Sequence, residues 1–131
     1  MPRKKLSEFR AKKLLHSALE RTYSGREITK PLKTLKKGRY VVKVDQAVKG
    51  RGKVGLIKLD RNQEQAIKDI KSLFNKGYEY CLLEPYIPHD QEQEKFLALR
   101  LVRDGIELIY RDKGGINVEE TSGGVSVTVS L

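Results

Sequence analysis

The chain has 131 residues, the size of one domain or of a piece of a larger one. Hydrophobic residues make up 38% of it and charged residues 34%, which is polar but not the composition of a disordered chain. The chain has a single cysteine, Cys81, which excludes an internal disulfide bond and fits a reducing cytoplasm. It contains no run of 18 apolar residues, so no membrane-spanning helix is predicted.

The positive charge is concentrated in the first part of the chain. Residues 1–58 contain 18 Lys and Arg against 4 Asp and Glu, a net charge of +14, whereas residues 59–131 contain 9 against 13, a net charge of −4. A concentrated positive field attracts polyanions, such as nucleic acid, acidic lipid headgroups or nucleotide phosphates. Composition alone does not choose among these, or between them and a solvated basic surface.

The first 39 residues predict one helix and a linker. The helix is expected over residues 6–20, with Ser7 as its N-cap. Residues 22–39 are rich in Lys, Gly and Thr, so little regular structure is expected there. We therefore separate a helix and basic linker, 1–39, from a second region, 40–131. Apolar residues recur at helical spacing on the expected buried face of the helix: Ala11, Leu14, Leu15, Ala18 and Leu19.

The pattern of the second region predicts an α+β fold with a mainly antiparallel sheet and one helix. Together with the helix of the first region, the whole chain is expected to contain two helices. Its helix is expected to begin after Asn62, with Gln65 completing a capping box, and to end at Gly77. Asp104-Gly105 predicts a two-residue hairpin turn. Strands are expected over 40–44, 54–59, 78–86, 95–103, 106–110 and 125–131.

A glycine-rich segment, residues 50–55, matches the pattern G-x-G-x-x-G. A dinucleotide-binding loop opens a helix, whereas a strand is expected to follow here. Val54 stands where a P-loop needs Ser or Thr, and neither H-R-D nor D-F-G of a protein kinase occurs. Two interpretations stay open: a basic loop whose glycines admit an anion, and an ordinary hairpin loop with solvated lysines.

The order of five segments is more specific than any one of them. They are V-V-K-V-D-Q at 41–46, the glycine-rich segment, L-L-E-P-Y-I-P-H at 82–89, E-K-F-L at 94–97 and K-G-G-I-N-V at 113–118. This set resembles the N-terminal half of the ATP-grasp domain of ATP-citrate lyase, a relative of the succinyl-CoA synthetase β chain. Residues 40–131 would be a partial ATP-grasp N-terminal subdomain, with the second half of that domain missing.

The resemblance implies a phosphate-binding role for four residues. Lys43 would contact an ATP phosphate, as a point charge among valines; the plain alternative is a lysine on the solvent face of an edge strand. Gly50, Arg51 and Gly52 would cover the phosphates.

The same resemblance implies contacts with the nucleoside. Glu84, Pro85 and Ile87 would form the hinge segment against adenine; the plain alternative for Leu83-Glu84-Pro85 is a strand that simply ends at proline. Glu94 would accept hydrogen bonds from the ribose hydroxyls, unless it is only a loop charge.

No catalytic residue and no metal ligand is expected in this chain. His89 lacks a second histidine or a cysteine cluster with which to bind a metal, and Cys81 is expected to be a buried small hydrophobe. In the family, Mg²⁺ is bound by residues of the second ATP-grasp half.

The resemblance thus implies an ATP-binding portion of a cytoplasmic acid–CoA ligase, which forms an acyl phosphate and then an acyl-CoA. Alone the chain is expected to be inactive, with the remaining ATP-grasp half or a companion subunit as its partner, and no membrane partner. The alternative is a small basic nucleic-acid-binding protein. The charge of residues 1–58 favours it, but aromatic residues are not interleaved with Arg and Lys as a base-stacking surface requires.

Overall fold

The structure is a computed structural model, which describes residues 6–46, 55–113 and 125–130. The chain forms two compact units, Met1–Ile87 and Pro88–Leu131. The first contains α1 (Glu8–Ala18), β1 (Arg26–Ile28), β2 (Arg39–Val44), β3 (Ile57–Asn62), α2 (Gln63–Asn75) and β4 (Cys81–Pro85). The second contains a short 3₁₀ turn (Gln91–Gln93), β5 (Phe96–Val102), β6 (Gly105–Arg111) and β7 (Val125–Ser130).

These elements confirm the predicted α+β class, with two helices and antiparallel sheets among the described residues. The separate roles expected for residues 1–39 and 40–131 stay a prediction. Neither helix of the described part is long and apolar enough to cross a membrane.

The first unit is built on a four-stranded antiparallel sheet with the order β1-β4-β2-β3. Helix α2 covers one face, because its apolar residues recur three and four positions apart. They pack against alternate residues of the strands, whose side chains point to the same face. The core formed in this way contains Ala66, Ile70, Leu73 and Phe74 of α2 with Val42, Val44, Cys81 and Leu83 of the sheet.

Both ends of α2 follow the predicted local signals. The Asn62 side chain accepts a hydrogen bond from the Gln65 N–H (2.9 Å), and the Gln65 side chain accepts one from the Asn62 N–H (3.1 Å). At the other end Gly77 has a positive φ of 97°, and the Tyr78 N–H donates to the Leu73 carbonyl. The capping box and the glycine-terminated end are therefore confirmed.

The segment 22–39 has little regular structure, as expected, but it contains one short strand and, outside that strand, one core residue. Residues Arg26–Ile28 form β1, which pairs with β4 so that Ile28 lies opposite Cys81. Leu35 is only 1% exposed and belongs to the core. A few apolar side chains among the lysines are enough to anchor this segment, and its average composition conceals them.

The expected buried face of α1 is also wrong. None of its residues is buried, and Leu14 and Leu15 are more than half exposed. Instead Glu8, Lys12 and His16, spaced four residues apart, are half-buried. The helix therefore packs through its charged side, where Glu8 and Lys12 contact charged residues of the sheet.

The second unit is a three-stranded antiparallel sheet with the order β5-β6-β7. Its first hairpin is displaced by one residue from the prediction, because Val102 pairs with Gly105 and the loop is Arg103-Asp104. Gly105 is buried within β6, and a Cβ atom there would collide with the Val129 carbonyl oxygen of β7. The glycine is therefore required by close strand approach rather than by the turn.

One face of this second sheet is apolar throughout. Alternate residues of the three strands line up in cross-strand rows, and the side chains from the two outer strands are more than half exposed. We call this surface the apolar sheet face. Its rows are Leu97–Tyr110–Val125, Leu99–Leu108–Val127 and Leu101–Ile106–Val129.

Candidate functional site

The candidate site lies on the face of the first sheet that α2 does not cover. In the register between β2 and β4, Val41 pairs with Glu84 and Lys43 with Leu82. Since side chains alternate along a strand, Lys43 and Glu84 share this face. The structure thus brings together two residues that the sequence predicted to contact ATP, with the Lys43 ammonium 3.1 Å from a Glu84 carboxylate oxygen.

Helix α1 is attached to this face by its N-terminal end. The Asp45 carboxylate, just after β2, accepts hydrogen bonds from the N–H groups of Glu8 (2.7 Å) and Phe9 (3.1 Å). The Ser7 side chain accepts from the Arg10 N–H, as predicted for the N-cap. Asp45 is only 6% exposed. It therefore accepts hydrogen bonds from N–H groups at the start of α1 that have no partner within the helix. Because Asp45 is only two residues after Lys43 in the sequence, this contact holds the start of α1 close to Lys43.

Four charged side chains form a closed cycle on this face, which we call the ion-pair ring. Glu8 lies 2.8 Å from both Lys43 and Lys12, and Lys12 lies 2.8 Å from Glu84. The contact between Glu84 and Lys43 closes the ring. Two carboxylates and two ammonium groups alternate, so their charges balance, as partly buried charges require.

Tyr23 supports the ring from the segment before β1. Its hydroxyl donates a hydrogen bond to Glu84 at 2.7 Å, and its ring lies near those of Phe9 and His16. A Cβ atom at Gly25 would collide with the Tyr23 ring. The small residue at position 25 therefore allows the hydroxyl to reach the carboxylate.

The surroundings fix the protonation states of these groups. Burial raises the pKa of Glu84, but the hydrogen bonds from Lys12 and Tyr23 and the charges of both lysines bring it below its ordinary value. Burial lowers the pKa of Lys12, and the bonds to Glu8 and Glu84 more than reverse this. Burial and the bond to Glu84 raise the pKa of Tyr23. At neutral pH Glu84 is therefore ionised, Lys12 is charged and Tyr23 is a neutral donor.

The segment predicted to contact adenine begins at the end of β4. The Glu84 carboxylate is engaged in the ion-pair ring, and Pro85 has no N–H to donate. The Tyr86 N–H donates to the Arg39 carbonyl at 2.9 Å, whereas the Ile87 side chain is 72% exposed. Pro85 and Ile87 are thus the exposed side chains of this segment, and Tyr86 between them is partly buried.

The predicted phosphate-binding residues Gly50, Arg51 and Gly52 lie outside the described residues, as does the expected approach of Lys43 to them. The chain on both sides of them is described, however. The Val44 N–H donates to the Leu56 carbonyl at 3.0 Å. The flanks of this segment are therefore held together one residue from Lys43.

The last two residues of the V-V-K-V-D-Q segment act as structural connections. Asp45 holds α1, and the Gln46 side chain accepts hydrogen bonds from the N–H groups of Glu79 (2.7 Å) and Tyr80 (3.1 Å). These residues lead directly into β4. Asp45 and Gln46 thus connect the end of β2 to α1 and to the residues just before β4.

The predicted ribose-binding residue, Glu94, belongs to the second unit. It follows the Gln91–Gln93 turn, and one of its carboxylate oxygens lies 2.7 Å from His89 Nε2. His89 therefore has an acidic partner within its own unit. Within the described ranges, no group of three His, Cys, Asp or Glu residues is arranged to bind a metal ion.

No sequence pattern predicted a site role for Glu8, Lys12, Tyr23 or Asp45. One available signal was the spacing of Glu8 and Lys12, which places both on one side of a helix. Another was Lys43 itself, because an ammonium group in an otherwise apolar strand needs an anionic partner.

Comparisons with known proteins give consistent similarities, although no family model matches the chain. Probable ATP-citrate synthase subunit 2 of Schizosaccharomyces pombe is 30% identical in an alignment of 93 positions, which covers 64% of this chain and 19% of that protein. The β subunit of succinate–CoA ligase (ADP-forming) of Methanocaldococcus jannaschii is 34% identical in an alignment of 89 positions, which covers 63% of this chain and 24% of that protein.

The fold is similar to that of a solved ATP citrate lyase from Methanothrix soehngenii, in complex with citrate and coenzyme A. The TM-score is 0.74 at 24% sequence identity, and the match covers 95% of this chain and 34% of that chain. Across the curated relatives, the chain spans between 8% and 35% of their lengths. The similarity in sequence and fold therefore concerns one part of much longer proteins.

Proposed function

Because the chain is homologous over most of its length to ATP-citrate synthase and to the β subunit of succinate–CoA ligase, we propose that it binds ATP. In this proposal it is the nucleotide-binding portion of an acid–CoA ligase, a reaction that forms an acyl phosphate and then an acyl-CoA. ATP supplies the phosphoryl group, and the residues of this chain bind and orient the nucleotide.

The observation that carries the proposal is the convergence on Lys43. Lys43 and Glu84 come from different strands onto one face, and the flanks of the segment with Gly50, Arg51 and Gly52 meet beside Val44. A cation close to the two ends of a glycine-rich segment supports a role in binding phosphate groups.

In the proposed complex, Lys43 and Arg51 contact phosphates, and the backbone at Gly50 and Gly52 lies close to them. Pro85 and Ile87 contact adenine, with Glu84 holding the segment in place, and Glu94 binds the ribose. Mg²⁺ accompanies ATP, with its protein ligands supplied by the remaining ATP-grasp half or by a companion subunit. We place this function in the cytoplasm.

The test is the replacement of Lys43 by methionine, which removes the charge and keeps the apolar part of the side chain. A charge-assisted contact with phosphate contributes about 1.5–3 kcal/mol, so Lys43→Met should weaken ATP binding about ten- to a hundredfold. Adenosine, which has no phosphate, should bind as before. Calorimetric titration of the full chain measures both, with circular dichroism to verify the fold.

The matched control is Lys36→Met, at an exposed lysine of the same unit. Both variants lose one positive charge, but only Lys43 lies in the candidate site. Equal and modest weakening of ATP binding by the two variants would contradict the proposal, because Lys43 would then act only through the overall charge.

Nucleic-acid binding is the second candidate, and the net charge of +14 over residues 1–58 favours it. The ion-pair ring weakens this argument, since Lys12 and Lys43 are already paired with carboxylates. Binding to nucleic acid would decrease steeply with salt concentration. Titration of a mixed-sequence oligonucleotide at two salt concentrations distinguishes it from ATP binding that requires Lys43 and adenine.

A further inference from the structure

The contact between Glu8 and Lys43 resembles the contact that a phosphate would make. A carboxylate oxygen of Glu8 lies 2.8 Å from the Lys43 ammonium, within the range of about 2.7–2.9 Å that is typical of an ammonium bonded to an anionic oxygen. The ring is charge-balanced, so Lys43 offers no net positive charge to an arriving anion. A phosphate that binds Lys43 must therefore replace a carboxylate already in place.

Glu84 is not the carboxylate that can be replaced easily. Both of its oxygens accept hydrogen bonds from Lys12, at 3.0 and 2.8 Å, and the Tyr23 hydroxyl donates to it as well. It also lies within a strand that is paired with β2. Releasing it from Lys43 by movement would break several charge-assisted contacts together.

Glu8 is placed differently, on a helix rather than within a paired strand. It lies in the first turn of α1, and its oxygen that contacts Lys43, Oε2, is also 2.8 Å from Lys12. Its backbone N–H stays bonded to Asp45 whatever the side chain does. A rotation of the Glu8 side chain would therefore move its carboxylate away from Lys43 while α1 remains in place.

We propose that Glu8 is a specificity-determining residue of the nucleotide site, which occupies Lys43 until a phosphate group displaces it. This inference rests on the proposed ATP-binding function. Its consequence is selectivity for ligands with several negative charges, because a weakly charged anion gains too little from Lys43 to displace a carboxylate.

The test is Glu8→Gln, which keeps the size of the side chain and removes its charge. The ring would then carry one net positive charge, and the repulsion between Glu8 and a phosphate at Lys43 would be absent. Over a separation of a few ångströms this repulsion is large enough that ATP affinity should rise about three- to tenfold. Adenosine affinity should stay the same.

Two further variants of the full chain separate this role from a general effect of charge. Glu64→Gln makes the same change in net charge at an exposed glutamate in the first turn of α2, and it should not alter ATP binding. In the double variant Glu8→Gln/Lys43→Met, ATP affinity should equal that of Lys43→Met alone, because Glu8 acts through Lys43.

Calorimetric titration with ATP and adenosine gives distinguishable outcomes. If ATP binding is insensitive to Lys43, the proposed function fails and this inference fails with it. If binding requires Lys43 but Glu8→Gln leaves it unchanged or weaker, only this inference is overturned. A gain that persists without Lys43, or that Glu64→Gln reproduces, overturns it as well. Should Glu8→Gln fail to fold, Glu8→Asp retains the charge but withdraws it from Lys43, and a smaller gain is expected; no gain overturns the inference.

Discussion

At the scale of single residues, the V-V-K-V-D-Q segment assigns neighbouring side chains to different tasks. Val42 and Val44 belong to the core, whereas Lys43 between them enters the ion-pair ring on the opposite face. Asp45 then anchors α1, and Gln46 anchors the chain before β4. The alternation of a strand makes this possible, because successive side chains leave the sheet on opposite sides.

The hydrogen bond from Tyr23 to Glu84 leads to a prediction about Gly25. In Gly25→Ala, the new methyl group would push the Tyr23 ring away from the carboxylate. It should therefore destabilise the protein about as much as Tyr23→Phe, which we expect to cost about 1.5 kcal/mol for a hydrogen bond to a charged group. Urea unfolding of both single variants measures these changes.

The double variant Tyr23→Phe/Gly25→Ala decides whether the two residues act together. If both substitutions remove the same hydrogen bond, the double variant should be less destabilised than the sum of the single ones. Strict additivity would mean that Gly25 is required for a reason unrelated to Glu84.

At the scale of elements, α2 and α1 show how differently two helices can depend on the rest of the chain. The start, end and buried face of α2 are all determined by neighbouring residues in the sequence. The orientation of α1 is determined by Asp45, Lys43 and Glu84, which are distant in the sequence.

The local determination of α2 gives a direct prediction for its capping box. Asn62→Ala should reduce the free energy of unfolding by about 1 kcal/mol, because the Gln65 N–H loses its acceptor. Asn75→Ala, at an exposed position in the last turn, is the control and should have little effect. Thermal and urea unfolding followed by circular dichroism measure both variants, and equal destabilisation would argue against the capping role.

These two helices also indicate what could be predicted from the sequence. The elements of the second region and the class of the fold follow from local patterns, and Lys43 and Glu84 were proposed as site residues from a family resemblance. The partners of Lys43 and Glu84 in the ring could not be predicted in the same way. They lie 35 and 72 residues away in the sequence, and the hydrophobic pattern of α1 favours the wrong side of the helix.

At the scale of the whole molecule, the apolar sheet face of the second unit is the most prominent exposed feature. Leu99 near its centre is 68% exposed, and β7 contributes three exposed valines. Monomeric proteins rarely expose a continuous apolar surface of this kind. The strands β5 and β7 are also outer strands of the sheet, with backbone groups available for pairing.

We therefore expect the chain to self-associate at micromolar concentration through the apolar sheet face. Leu99→Lys should reduce this association, because a charged side chain would have to be buried in the contact. Thr128→Lys is the control, since it adds the same charge on an outer strand but on the other face of the sheet. Light scattering over a concentration series measures the effect, and equal behaviour of the two variants would exclude this face as the contact.

The charged side of α1 has a consequence for how this helix tolerates substitution. In most surface helices the leucines are the constrained positions and the charged residues vary freely. In α1 the charged residues are the constrained positions, because Glu8 and Lys12 contact the sheet while Leu14 and Leu15 are exposed within their unit. When a library of all substitutions in α1 is selected for folded protein, polar residues should be tolerated at Leu14 and Leu15. Most substitutions at Glu8 and Lys12 should be lost. A prediction of the constrained positions from hydrophobicity alone would therefore choose the wrong side of the helix.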